Sequence, residues 1–143
     1  MSMILSDFQE ALEEFHQNYA DFLAATRKIR PEDRDRNGVC GIWSPKQVVA
    51  HLSGWLREER ENIQKLMENP RYHKEYDEDE FNAQSVADRA GMDWDQTLND
   101  FIDAYRDFEK EIANITIANL SDWKPVQRTL KILAGDFVLH RNQ

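Results

Sequence analysis

Seven large apolar side chains recur at alternating spacings of four and three between positions 94 and 115: Trp94, Leu98, Phe101, Tyr105, Phe108, Ile112 and Ile115. On a helix of about 3.6 residues per turn they form one stripe, which is stable only when buried against neighbouring elements. Three further segments carry the same period. The first runs from about Ser6 to Lys28, with Phe8, Leu12, Phe15, Tyr19, Phe22 and Leu23 on one face and Ser6–Gln9 as a capping-box signal. The second has the clearest start in the chain: Ser44 suits the N-cap, Pro45 the first helical position, and Gln47 completes a capping box. Trp43 and Val48 are placed to staple that cap. The segment continues to about Met67 with Val48, Leu52, Trp55, Ile63 and Leu66 pointing inward. The last begins near Pro125, with Val126, Leu130, Leu133, Phe137 and His140 as its stripe. The 94–115 stripe itself opens at Asp93, with Gln96 three residues on. No segment reads as a strand.

The connections choose the topology. The link from Ile29 to Ile42 is short, with Asn37-Gly38 as its turn. The link from Glu68 to Met92 is long, holds Pro70 and an acidic run from Glu75 to Glu80, and predicts a short helix over about Glu80–Ala90, ended by Gly91. Short links join antiparallel neighbours, and a long one can cross a bundle about 30–35 Å tall. The expectation is an all-α, up-down-down-up four-helix bundle whose long helix 2–3 crossover contains a short extra helix. It forms one domain over residues 1–143. The few turn-forming residues, Gly 5 and Pro 4, argue against a sandwich or barrel of short strands.

A formal charge of −9 argues against a nucleic-acid partner and against docking on an anionic membrane. No apolar run reaches the roughly 18–20 residues of a membrane helix. The N-terminus lacks a basic start and apolar core, and Cys40 is the single cysteine. The expectation is a cytoplasmic protein.

Inward polar residues are the informative ones in a bundle. His51 shares the face of Val48 and Trp55, and His140 continues the stripe of Phe137. His51 lies about 10 Å below the start of its helix, and the proposed topology brings His140 to the same level. Two level histidines on facing helices make a candidate metal pair. Glu58 is on the same face as His51 but about 10 Å away along the axis, too far to share a metal with it, and is a candidate substrate or supporting group. His16 and Asp136 are weaker candidates for a third ligand. Cys40, four residues before a helix start, reads as a small packed residue of a tight turn.

The stretch Gly38-Val-Cys-Gly-Ile-Trp-Ser-Pro-Lys-Gln-Val-Val-Ala-His51-Leu-Ser-Gly-Trp55 resembles the DinB-like (DinB/YfiT) superfamily of metal-dependent four-helix proteins. It is nearest the DfsB-like branch, to which colibactin self-protection belongs. Asp77 to Asn82 resembles the acidic-x-x-x-Asn stretch of that branch's crossover, and Gly135-Asp136-Phe-Val-Leu-His140 the family's last helix. The resemblance implies the same bundle topology. It also implies a metal site of three histidines, of which His51 and His140 match two. The third falls four residues after His140, past Gln143. The cofactor implied is one divalent metal, zinc or nickel. The leading expectation is metal- or His-assisted hydrolysis or thiol transfer on a small electrophilic molecule, with His51 catalytic and Trp55, Asn82 and Glu58 around the substrate. The alternative is a non-catalytic binding or sequestering module with a degenerate metal site. Either is compatible with a small-molecule ligand and a homodimer.

Overall fold

The computed structural model describes residues 2–38, 43–69 and 71–113, with side chains from residue 9 onward. It contains α1 (Ser2–Arg27), α2 (Pro45–Glu68), α3 (Glu78–Asp88) and α4 (Trp94–Ala113), with a 3-10 turn at Pro31–Asp33. Among the described residues there is no β-strand, and no helix is long and apolar enough to cross a membrane. The side chain of Phe8, together with Cys40, Ile115 and the whole segment expected from Pro125, including Asp136 and His140, lies outside the described residues.

Two capping boxes set the long helices after the first. At α2 the Gln47 N–H donates to Ser44 Oγ at 3.2 Å, and the Ser44 N–H donates to Gln47 Oε1 at 3.0 Å. At α4 the Gln96 N–H donates to Asp93 Oδ1 at 2.8 Å and the Asp93 N–H to Gln96 Oε1 at 2.9 Å. Each box satisfies two backbone donors that would otherwise lack partners at the helix start. Ser44→Ala should therefore cost about 1 kcal/mol in a denaturant titration; a change indistinguishable from zero would remove the cap from the account. Gly38 has φ 88°, the left-handed conformation expected of the Asn37-Gly38 turn.

Aromatic and ionic contacts fix the directions. Phe15 meets Phe108 with ring centroids 5.3 Å apart, Tyr19 stacks on Tyr105, and Phe22 meets Phe101 at 5.5 Å. Rising numbers on α1 meet falling numbers on α4, so the two are antiparallel. Arg57 pairs with Asp100 at 2.6 Å and Arg60 with Glu111 at 3.7 Å, so α2 and α4 run parallel. The three long helices are thus up, down, down. The crossover returns along α2: Trp55 packs on Phe81, and Gly54 lies against Ser85 one turn later in α3. The Arg34 guanidinium, 5.4 Å from the Trp94 ring centroid, then marks the arrival of α4 beside the loop that precedes α2.

Phe15, Phe22, Leu52, Leu56, Ile63, Phe101 and Phe108 form the centre of the core, each at most 3% exposed. Three boundaries differ from the sequence reading, one of them the end of α3, which stops at Asp88 with Arg89 as its C-cap rather than at Ala90 before Gly91. α1 begins at Ser2 rather than near Ser6: Leu5, Phe8 and Leu12 already continue the spacing of three and four, so Ser6 lies within the helix. α3 begins at Glu78 rather than Glu80, because the Asp77 carboxylate caps it by accepting the Glu80 N–H at 3.1 Å.

One ion cluster joins three helices. The Asp100 carboxylate accepts from Arg57 Nη2 at 2.6 Å and from Arg89 Nε at 2.7 Å, while Arg89 Nη1 donates to the Ser85 carbonyl at 3.1 Å. Burial alone would raise the Asp100 carboxyl; the two guanidinium hydrogen bonds and charges outweigh it and hold the group below its ordinary value of 3.8. A carboxyl depressed on folding stabilises the protein above its unfolded pKa, and that contribution is lost as pH falls through the folded pKa. Asp100→Asn should cost about 1–2 kcal/mol at neutral pH, given charged hydrogen bonds with one half-exposed guanidinium. Its gap from the unaltered protein should narrow as pH drops below 3.8. Chemical denaturation at neutral pH and at acid pH checks both parts; a pH-independent gap would contradict the account.

Candidate functional site

Residues 48, 51 and 55 lie on one face of α2, at spacings of three and four, and the fold directs that face away from solvent. His51 is only 4% exposed. Its Nδ1 lies 2.7 Å from the Val48 carbonyl oxygen, three residues back in the same helix. A carbonyl can only accept, so Nδ1 carries a proton, and in the neutral ring the lone pair is on Nε2. The Trp43 ring covers the imidazole at a centroid distance of 4.6 Å and an angle of 55°. Trp43 is thus part of the packing around the α2 start, with its ring on His51 one turn beyond the expected staple partner Val48.

Trp55, one turn further, is half-buried under the crossover. Its Nε1–H donates to Asn82 Oδ1 at 2.7 Å, and its ring packs on Phe81 at 4.2 Å and edge-on to Tyr76 at 5.1 Å. Glu58 Oε1 accepts from Lys74 Nζ at 2.5 Å and from the Tyr76 hydroxyl at 2.8 Å. Asn62 Nδ2 donates to the Tyr76 oxygen at 2.9 Å, and the Tyr72 hydroxyl donates to Asn62 Oδ1 at 3.3 Å. Burial would raise the Glu58 carboxyl, but the Lys74 and Tyr76 hydrogen bonds hold it below the usual range, so it is ionised at neutral pH. Burial, helped by the Glu58 charge, pushes the Tyr76 phenol up, so it stays protonated and donates.

Trp55, Glu58 and Asn82 therefore come together, with His51 on the preceding turns of the same helix. Glu58 stands about 10 Å along the axis from His51, as the spacing required, and its carboxylate is directed to the crossover. His16 is elsewhere. Because α1 is antiparallel to α4, His16 meets the Tyr105 hydroxyl and lies 3.4 Å from Glu109. Tyr105 is level with the segment between Asp100 and Asp107, both of which Arg57 reaches. His16, packed on Tyr105 and Glu109, is thus on the order of 5–10 Å further along the bundle than His51. Burial, with the Glu109 charge, raises the Tyr105 phenol.

His51 fits the first ligand of a metal site, since ligating imidazoles ordinarily donate the other ring N–H to a carbonyl or carboxylate. Among the described residues no group of three His, Cys, Asp or Glu side chains could hold a metal ion, and His140 lies outside them.

The residues that the sequence reading passed over are Asn62, Tyr72, Lys74 and Tyr76. Their signal was present but faint: two tyrosines four apart in an otherwise polar connection, and Glu58 with Asn62 four apart on α2. Comparison of the chain with family models, with curated proteins and with solved structures finds no match.

Proposed function

We propose that the protein is a DinB-like, small-molecule-processing protein in which His51 promotes hydrolysis of, or thiol transfer to, a small electrophilic substrate. The observation that supports this reading is the Nδ1–H···O=C bond from His51 to Val48. It fixes the ring and its tautomer, and it places the lone pair of the neutral ring on Nε2, the basic position. As a general base, Nε2 takes the proton of a water or thiol while the oxygen or sulfur of that nucleophile bonds to the electrophilic carbon; the bond from that carbon to its leaving group breaks, the leaving group departs with the electron pair, and it receives the proton from Nε2. Trp43 over the ring limits the imidazole's rotation. The same lone pair suits one divalent metal, zinc or nickel, shared with His140; when bound, such a metal lowers the pKa of a water or thiol. In this reading the protein is cytoplasmic, its partner is a small-molecule ligand, and its assembly is a homodimer.

A second reading, a non-catalytic binding module with a degenerate metal site, is favoured by one specific observation. Polar atoms of the three candidate substrate residues already have partners within the chain: Trp55 Nε1–H donates to Asn82 Oδ1, and Glu58 Oε1 accepts from Lys74 and Tyr76. One experiment separates the readings. Protein purified without a histidine tag is assayed for bound metal, then for glutathione conjugation and ester hydrolysis over a panel of small electrophiles. The first reading expects His51→Gln to lower the turnover found by about 10²-fold or more, the usual scale of a general base, with helix content unchanged. Turnover that His51→Gln leaves intact, or binding without turnover, contradicts it.

A further inference from the structure

We propose that the corner formed by Glu58 and Tyr76 is a binding site for an organic ammonium group, and that the chain's own Lys74 occupies it. The Lys74 ammonium lies 2.5 Å from Glu58 Oε1 and 5.0 Å from the Tyr76 ring centroid. A carboxylate on one side and an aromatic ring on the other are the two elements that recognise an alkylammonium ion. Both are held by groups other than Lys74. The Tyr76 oxygen receives the Asn62 amide and its hydroxyl donates to Glu58. The Tyr76 ring is braced edge-on by Trp55 at 5.1 Å and by Phe81 at 5.6 Å. With Lys74 in place the Glu58 side chain is only 16% exposed, so a cation stands where water would otherwise solvate its charge.

The occupant, by contrast, is loosely tied. The Lys74 side chain is 46% exposed. Among the described residues, the backbone of positions 73–76 makes no backbone–backbone hydrogen bond between the Tyr72–Asn69 bond and the first bond of α3. An ion pair so exposed at its cationic end is weakly held, and an external ammonium can replace it without disturbing Asn62, Trp55 or Phe81. Lys74 is then an internal competitor, acting at an effective concentration on the order of millimolar. The site stands independently of any chemistry at His51.

The test titrates n-pentylammonium chloride into the protein and follows the Trp55 indole N–H and the neighbouring backbone amides by NMR. Lys74→Gln should bind the ammonium about tenfold more tightly than the unaltered protein, because the competitor is gone. Adding Glu58→Gln to that variant should abolish the gain, and raising the salt concentration should weaken binding. Lys74→Gln binding no tighter than the unaltered chain would overturn the proposal, as would pentan-1-ol binding it as well as pentylammonium does. The first comparison needs only a substitution at an exposed side chain, so it holds even where the Glu58 variant fails to fold.

Discussion

Phe108→Ala should lower the stability of the protein by about 3–5 kcal/mol. Phe108 is fully buried on α4 and meets Phe15 of α1 at a ring distance of 5.3 Å, at the seam where the two antiparallel helices are joined by aromatic rings. Truncation removes the transfer free energy of the ring and leaves a cavity beside Phe15 in a packed core. Against a total stability of about 5–15 kcal/mol, such a loss unfolds a substantial fraction of a marginal domain. Phe108→Leu, which keeps most of the volume, should cost much less. Urea titration of the two variants checks this; equal losses would mean that ring packing at this seam contributes little.

Gly54→Ala is the second large effect, and propensity alone predicts the wrong sign. In an isolated helix, alanine is favoured over glycine by about 1 kcal/mol. Here a Cβ at position 54 would fall 2.1 Å from Ser85 Oγ and 2.6 Å from Ser85 Cβ. The hydroxyl can rotate away, but Cβ is fixed to the α3 backbone, so α2 and α3 must separate. Moving α3 also strains Arg89, whose guanidinium ties the end of α3 to Asp100. The expected net cost is about 2–3 kcal/mol. Ser85→Gly in the same chain removes both clashing atoms and should recover most of it; a double variant no more stable than Gly54→Ala would show that the cost has another origin.

The helices were legible because their signals are local. The 94–112 stripe, the Ser44–Gln47 and Asp93–Gln96 boxes and the acidic start of α3 each depend on residues within one or two turns. The parallel run of α2 and α4 was legible too, because only a long crossover can join parallel helices. The clamp on the crossover was not. Tyr76 meets Glu58 and Asn62 across 18 and 14 residues, on a segment that doubles back along α2, and no local pattern specifies which turn it contacts. Trp55 shows the same limit. Its spacing from Val48 and Leu52 reads as inward, yet it sits at the margin of the core, where Phe81, Tyr76 and Asn82 cover it. His51 was read correctly as inward, since both its helical neighbours on that face, Val48 and Leu52, are buried. Its tautomer was beyond sequence reasoning, because it depends on the ring turning back to the Val48 carbonyl.

That tautomer is the basis of the functional reading, and it can be measured directly. A long-range ¹H–¹⁵N correlation spectrum at neutral pH distinguishes a protonated ring nitrogen from one that carries a lone pair. With His51→Gln assigning the signal, the account predicts a neutral His51 ring with Nδ1 protonated and Nε2 bearing the lone pair. A His51 ring protonated on Nε2 with its lone pair on Nδ1 would contradict it.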